Sequence, residues 1–217
     1  MYFQDRSDAG RWLAGELTSY ATCSDLLVLG ILRGGVPVAC EVARVLHAPL
    51  DVLPVRSLRI PGDQELSLGA IASHGMFCLN KELVEALHVA EPITRRFIAK
   101  EQRELARCEQ LYHRHCLAHH VRGRTIILVD DGMASGMTMQ VALATLRREY
   151  PARIIVAVPV AAVSACKQLA TQVDALVCLF IPEHFFGIGH WYHSFPTVTD
   201  EEICTLLQQT EPAAILG

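Results

Sequence analysis

The chain has 217 residues, of which 51% are hydrophobic and 19% charged, and its formal net charge is −4 at pH 7. These values indicate a buried globular core rather than a disordered chain, and they argue against a broad nucleic-acid-binding face. No apolar run reaches the roughly 18 residues that would span a bilayer, and the polar N-terminal residues are unlike a secretory signal peptide. None of the eight cysteines forms a CxxC pair, so we expect reduced thiols and a cytoplasmic protein.

Short apolar runs alternate with amphipathic stretches, which is the pattern of strands alternating with helices. In the first half the sequence predicts a helix near 6–20, a strand at 25–31, a helix at 36–47, a strand at 50–58, a polar loop at 59–65 and a hairpin at 69–80. In the second half it predicts a charged helical stretch at 81–115, strands at 125–130, 153–160 and 175–180, helices near 138–150, 164–171 and 199–209, and a loop rich in glycine and aromatic residues at 182–195. Such strands form parallel sheets with helices on both faces.

Two of the predicted strands run into loops of unusual composition. Strand 25–31 leads into RGG at 33–35, the RGG loop, and strand 125–130 leads into DDGMASGMT at 130–138, the acid loop. Ligands of open parallel sheets bind beyond the carboxyl ends of the strands. If the two strands are neighbours, both loops therefore open on one crevice.

The acid loop combines an anion-binding backbone with two carboxylates. Small residues after Asp131 let backbone N–H groups converge on an anion, and the N-terminus of the following helix adds its dipole. Ser135 and Thr138 add hydroxyl donors, which makes the loop a candidate phosphate site. Because phosphate repels carboxylates, we expect Asp130 and Asp131 to bind another part of the same ligand, and the vicinal hydroxyls of a ribose suit them. The loop thus indicates a sugar phosphate.

Other classes of protein also place adjacent acids after an apolar strand. Phosphoacceptor receiver domains carry the pair after their first strand, whereas at least two predicted strands precede it here. Phosphatases of the haloacid dehalogenase type need acids two positions apart, and DDG does not have that spacing. The remaining alternative is a structural role in which the acids cap the following helix.

The sequence VDDGMASGMT at 129–138 resembles the phosphoribosyl-pyrophosphate (PRPP) loop of type I phosphoribosyltransferases. The stretch GILRGGVPVACEVARVLHAPLDVLPVRSL at 30–58 resembles their pyrophosphate-loop region, and RGGVPVA, LSLGAIA and GHWY resemble a subfamily of predicted phosphoribosyltransferases. The resemblance covers nearly the whole chain. It implies an α/β, Rossmann-like parallel sheet flanked by helices in a single domain over 1–217, with a core at about 24–80 and 121–181, a helical insertion at about 81–120, and a small hood made by about 182–217 and the N-terminal helix.

The resemblance also implies a role for each matched residue. Asp130 and Asp131 would hold the ribose hydroxyls, while Arg33, Gly34 and Gly35 would line the pyrophosphate site. The 5′-phosphate would lie on the remainder of the acid loop, which comprises Gly132, Met133, Ala134, Ser135, Gly136, Met137 and Thr138. Beyond the matched residues, Arg56 and Arg59 are the basic groups in reach of the pyrophosphate, and a guanidinium can contact phosphates in a fork. Catalytic contributions are expected from Asp130, Asp131, Arg33 and Arg59.

The implied reaction is displacement of pyrophosphate from the anomeric carbon of PRPP by a nitrogenous base. Mg²⁺ would bind mainly through the substrate, with Asp130 and Asp131 as candidate protein ligands, because this ion favours phosphates and water over an all-protein cage. Departure of the leaving group gives the ribose oxocarbenium character. The protein must then neutralise charge and exclude water, with closure of loop 57–68 as the gate. A homodimer is usual for the family, and no nucleic-acid or membrane partner is expected.

Two positions depart from the family pattern. Ala134 stands where enzymes acting on 6-oxopurines carry an acid, which brings the pattern nearer to adenine and orotate enzymes. Ser57 stands where close relatives have lysine, so Arg59 would have to supply the missing charge. Phe185, Phe186 and Trp191, in the loop after the last strand, are the candidates to stack on the base.

Two other functions stay open, the first of which is favoured by Ser57. One is a regulator that senses PRPP or a nucleotide without turnover, and the other is a phosphoribosyl hydrolase that uses water as the nucleophile. The stretch YHRHCLAHH at 112–120 places His115, Cys116 and His119 close together, yet no second cluster at zinc-like spacing accompanies it. A solvated helix end is therefore favoured over a metal site at His113–His120.

Overall fold

The computed structural model describes residues 2–60, 63–72, 75–87, 91–112 and 121–210. Their helices and strands, in chain order, are α1 (Arg6–Glu16), β1 (Leu26–Ile31), α2 (Gly35–Leu46), β2 (Leu50–Leu53), β3 (Val55–Ile60), β4 (Asp63–Ala72), β5 (Phe77–Leu79), α3 (Lys81–Ala86), α4 (Glu91–Leu111), β6 (Thr125–Val129), α5 (Met137–Arg147), β7 (Arg153–Val160), α6 (Val163–Leu169), β8 (Ala175–Phe180) and α7 (Asp200–Thr210). Short 3-10 turns cover Thr18–Tyr20 and Ile188–Trp191. None of the helices in these ranges is long and apolar enough to cross a membrane.

The central sheet has five parallel strands in the order β2-β1-β6-β7-β8. Every residue of β1 and of β6 is buried, because helices cover both faces: α5 and α6 on one, and α1, α2 and α7 on the other. The fold is therefore the predicted Rossmann-like α/β arrangement. The chain winds outward from β1 to β2 and then returns to β6 on the other side of β1. This reversal opens a crevice at the carboxyl ends of β1 and β6.

A second sheet has three antiparallel strands in the order β3-β4-β5. It packs against α4 through Leu58, Leu68, Ile71 and Leu105. The single strand predicted at 50–58 is wrong, because the chain divides at Pro54 into β2 and β3, which belong to different sheets. Proline has no N–H to continue a strand ladder, which accounts for the break.

The polar loop predicted at 59–65 is also wrong over most of its length, because 59–60 and 63–65 belong to strands, whereas closure of 57–68 as a gate stays a prediction. The ladder between β3 and β4 continues to the pair Ile60 and Asp63, with irregular register near Arg59. An antiparallel ribbon that is exposed to solvent contains many polar residues, and so does a loop. The composition of 59–65 therefore did not reveal the strands. The hairpin predicted at 69–80 is confirmed by the pairing of β4 with β5.

The N-terminal residues pair with the segment that follows β8. The Phe3 N–H donates to the carbonyl of Trp191 at 2.9 Å, and the His193 N–H donates to the carbonyl of Phe3 at 2.8 Å. Phe3 and Tyr192 form an apolar cluster with Ala9 of α1. This pairing brings the first turn of α1 to the carboxyl edge of the central sheet, where the acid loop begins.

Candidate active site

The RGG loop packs directly on the acid pair. A Cβ atom on Gly34 would lie 2.0 Å from Oδ2 of Asp131, and one on Gly35 would lie 2.6 Å from the Val129 carbonyl oxygen and 2.9 Å from Cα of Asp130. Only glycine allows such close approach of two backbones. The peptide bond between Leu32 and Arg33 is cis. The two loops that the sequence singled out thus meet at the crevice between β1 and β6.

Asp131 is buried and held from two sides. Its carboxylate accepts a hydrogen bond from Nε of Arg6 at 2.9 Å, and only 10–11% of either side chain is exposed. Its backbone carbonyl accepts a bond from the hydroxyl of Tyr192 at 2.5 Å. Burial raises the pKa of Tyr192, and the Asp131 charge adds to this, so the phenol stays a donor. Asp131 therefore faces Arg6 and Gly34 rather than open space.

Asp130 is the more accessible member of the pair, because part of its surface reaches solvent. Its Oδ1 accepts a hydrogen bond from the Asp131 N–H at 2.9 Å, which fixes the carboxylate at the end of β6. Burial raises the pKa of Asp130 well above its ordinary value, and the neighbouring Asp131 charge raises it further. The nearby positive charge of Arg6 acts in the opposite direction.

The rest of the acid loop forms the entry to α5. Ala134 and Ser135 are exposed, while Gly132, Met133 and Met137 are buried. The Met133 N–H donates to the Val160 carbonyl at 2.9 Å, which ties the loop to the end of β7. Gly136 is the N-cap of α5 in the left-handed conformation, with φ of 75°, and it has no side chain to cap the helix; the Met137 N–H donates instead to Oγ of Ser135 at 3.4 Å. The N-terminus of α5 thus lies next to the exposed part of the loop, and the Ser135 hydroxyl contacts its first N–H.

Arg33 forms ion pairs with residues of α4 and α7. Its guanidinium lies 3.3 Å from Oε1 of Glu104 and 3.0 Å from Oδ1 of Asp200. Arg107 contacts the same two carboxylates at 2.7 and 2.8 Å, and the hydroxyl of Tyr112 donates to Asp200 at 2.8 Å. Burial alone would raise the pKa of Asp200, but these hydrogen bonds and the two arginine charges hold it below its ordinary value.

A basic cleft adjoins this network between β3 and α4. Its volume is about 460 Å³, and it is lined by Arg56, Lys100, Glu101, Arg103, Glu104 and Arg107. Arg56 forms an ion pair with Glu101 at 2.5 Å. Ser57 hydrogen-bonds with Ser67 across the β3–β4 ribbon at 2.7 Å. The backbone of Arg59 belongs to β3, but its side chain lies outside the described part of the structure.

A second cleft opens on the other side of the acid loop. It has a volume of about 640 Å³ and runs from Ala134 along the start of α6 to the segment after β8, where Phe185 lines it. Of the three aromatic candidates only Phe185 borders this cleft: Phe186 is 69% exposed, and Trp191 packs beside Phe3 and stacks on Tyr2. Trp191 as a wall of a base pocket is thus not supported by its position.

The remaining candidates concern metals and thiols. The stretch His113–His120 lies outside the described residues, so the structure does not bear on a metal site there. In the described ranges no group of three or more His, Cys, Asp or Glu side chains is arranged to hold a metal ion. The seven cysteines within those ranges are all free.

The sequence did not indicate Arg6 or Tyr192 as site residues. Arg6 lies 125 positions before Asp131 and belongs to an ordinary charged helix start, so no local pattern marks it. Tyr192 lies in the GHWY stretch, whose resemblance to the subfamily was the available signal. Both reach the site because the N-terminal residues pair with the segment after β8.

Comparison with known proteins identifies the family. The family model described as phosphoribosyl transferase domain matches residues 4–186. The chain is 37% identical over 207 residues to a Mycobacterium tuberculosis protein named "Putative phosphoribosyl transferase MT0597", a match that covers 95% of this chain and 46% of that protein. This chain thus spans about half the length of the curated relatives it matches. It belongs to the phosphoribosyl transferase family.

Two solved structures support the same fold. The crystal structure of TT1426 from Thermus thermophilus is 36% identical with a TM-score of 0.74, covering 96% of this chain and 99% of that one. The AQ2163 protein from Aquifex aeolicus is 13% identical with a TM-score of 0.54, covering 85% of this chain and 78% of that one. The second likeness shows a shared fold alone.

Proposed function

We propose that the chain transfers the 5-phosphoribosyl group between PRPP and a nitrogenous base, with pyrophosphate as the leaving group. The observation that carries this proposal is the contact of Gly34 and Gly35 with the acid pair at the reversal point of the sheet. A sugar phosphate at that point would meet the acid loop on one side and the RGG loop on the other. The basic cleft between β3 and α4 suits the pyrophosphate, and the cleft from Ala134 to Phe185 suits the base.

The 5′-phosphate fits the acid loop between Gly132 and Thr138. The N-terminus of α5 offers backbone N–H donors and a favourable dipole, and no acidic side chain lies in its first turn. Ser135 is exposed, and Thr138 is partly exposed, so both hydroxyls are accessible to the ligand. Asp130 would accept hydrogen bonds from the ribose hydroxyls, because it is the partly exposed residue of the pair.

The pyrophosphate fits the side of the RGG loop. Arg33 and Arg56 are now paired with carboxylates of α4 and α7, in partly exposed contacts that a ligand of higher negative charge can displace. Arg59 remains a candidate through its position on β3. Mg²⁺ fits this arrangement, because it binds substrate phosphates together with one or two carboxylates, and Asp130 is such a group. When bound, the ion would neutralise charge on the leaving pyrophosphate.

The base fits the cleft that runs from Ala134 to Phe185. The Phe185 ring offers an apolar face for stacking, while Ser164, Lys167 and Glu183 offer polar groups at the rim. As pyrophosphate leaves, positive charge develops at the anomeric carbon, and the carboxylate of Asp130 would stabilise it. The base in the cleft would then attack from the side opposite to the leaving group.

The test is an assay of pyrophosphate release with PRPP, Mg²⁺ and a panel of purine and pyrimidine bases. We expect release that depends on one class of base, and a loss of more than about 100-fold for Asp130→Asn, as is typical when a charge-stabilising group is removed. Glu16→Gln, an exposed carboxylate on α1, is the matched control and should leave the rate unchanged. Binding of PRPP without release would favour the sensing function, and ribose phosphate released without any base would favour the hydrolase.

A further inference from the structure

Arg6 contacts the acid pair directly, and it comes from a part of the chain that no site motif covers. Its Nε donates to Oδ2 of Asp131 at 2.9 Å, and its Nη1 donates to the Pro196 carbonyl at 2.7 Å. The guanidinium also lies 3.7 Å above the Phe195 ring. Two hydrogen bonds and a stacking contact hold this side chain in one orientation.

The contacts fix Asp131 as firmly as they fix Arg6. If the Asp131 carboxylate turned toward a ligand, it would leave the buried guanidinium without its charge partner, which is strongly unfavourable. Gly34 blocks movement on another side, since it leaves no room for even a methyl group beside Oδ2. Tyr192 holds the backbone of the same residue. Asp131 therefore has little freedom to follow a substrate.

We propose that Arg6 is a positioning residue that holds Asp131 as an internal support and so leaves Asp130 as the carboxylate that contacts the sugar. This inference rests on the proposed function. The sequence predicts that both acids bind the sugar, whereas this assignment gives the sugar contact to Asp130 and an internal structural role to Asp131. It also assigns a role to the N-terminal residues and the segment after β8, which pair with each other. Arg6 and Tyr192 from these segments contact Asp131, and Phe195 stacks on Arg6.

The test is calorimetric binding of PRPP with Mg²⁺ to single and double variants of the full chain. We expect Asp130→Asn to weaken binding most, by about 100-fold, because it removes a charge-assisted contact with the ligand itself. Arg6→Gln and Asp131→Asn should each weaken binding by about 10-fold. The double variant Arg6→Gln/Asp131→Asn should bind no more weakly than the poorer single variant, because both changes act through one contact.

Two further variants separate positioning from a general effect on folding. Arg11→Gln removes an exposed arginine of the same helix, which pairs with Asp8 and Glu41, and should leave PRPP binding unchanged. Arg6→Lys keeps the charge and should recover part of the affinity that Arg6→Gln loses. If Arg6→Gln does not fold, Arg6→Lys and the double variant, in which no buried charge is left unpaired, still report the effect.

Three results would overturn the assignment. The first is a folded Arg6→Gln protein that binds PRPP as the unchanged protein does. The second is losses that multiply in the double variant, and the third is an Asp131→Asn loss as large as that of Asp130→Asn. If the unchanged chain does not bind PRPP with Mg²⁺ at all, the proposed function fails, and the assignment of Arg6 fails with it.

Discussion

Two arginines of this chain form ion pairs with carboxylates, and their surroundings differ. Arg6 and Asp131 are about nine-tenths buried at the crevice, where Arg6 is also stacked and hydrogen-bonded to backbone. Arg33 shares Glu104 and Asp200 with Arg107, and these side chains are about one quarter to one half exposed. The first contact excludes water, whereas the second is open to it.

The difference determines what each contact can do. Breaking a buried ion pair leaves a charge that water cannot reach, so the pair holds one geometry. An exposed network has several partners and is screened by solvent, so its members can exchange partners at low cost. Arg6 is therefore suited to fix the acid loop, and Arg33 is suited to leave its carboxylates for a more highly charged ligand.

Replacement of Arg6 should have the largest effect on stability. Arg6→Gln leaves the Asp131 charge buried beside Gly34, and we expect the free energy of unfolding to fall by about 3–5 kcal/mol. Arg33→Gln should lower it by less than about 1 kcal/mol, because its partners keep Arg107 and solvent. Urea unfolding of both variants at pH 7 measures the two values. Equal losses would show that the two arginines do not differ as their burial suggests.

Gly34→Ala should disturb the same buried pair from the opposite side. The new Cβ would lie 2.0 Å from Oδ2 of Asp131, and the carboxylate can move away only by leaving Arg6. We expect a loss of about 1–3 kcal/mol, the usual cost of overpacking, together with weaker PRPP binding. Gly15→Ala on α1 is the matched control, because nothing lies within 4 Å of its Cβ position. The prediction fails if the two alanine variants unfold at the same urea concentration.

The sequence predicted the fold and part of the site for identifiable reasons. β1 and β6 are uninterrupted apolar runs, and the acid loop is contiguous in sequence, so both are local signals. The contact of Arg6 with Asp131 spans 125 positions and arises only from tertiary packing, so local patterns could not reveal it. Trp191 was assigned to the base pocket by composition, but it packs beside Phe3. The division into core, insertion and hood remains a prediction.

Tyr192→Phe should have a smaller effect than either change at the ion pair. It removes the hydroxyl that donates to the Asp131 carbonyl at 2.5 Å and leaves a buried acceptor with one donor fewer. We expect a loss of about 1 kcal/mol in the free energy of unfolding. Tyr150→Phe removes a hydroxyl from a side chain that is 68% exposed and should change little. A Tyr192 variant as stable as the Tyr150 variant would mean that the backbone contact contributes nothing.

The smallest effect is expected for the exposed network, and it should depend on pH. The pKa of Asp200 is lower in the folded chain than its ordinary value of 3.8. Its ion pairs therefore stabilise the fold fully above about pH 4, where the unfolded chain is also ionised, and this stabilisation is lost as the pH falls through the folded-state pKa.

Asp200→Asn tests this directly, because it removes the charge and keeps an acceptor for Tyr112. At pH 7 it should lower the free energy of unfolding by less than about 1 kcal/mol, and the difference from the unchanged chain should shrink below pH 4. Urea midpoints measured across pH 3–7 give both curves. If the difference between the two proteins stays constant with pH, the effect comes from packing rather than charge. If the loss at pH 7 is as large as that of Arg6→Gln, the Arg33 contact is as rigid as the buried pair.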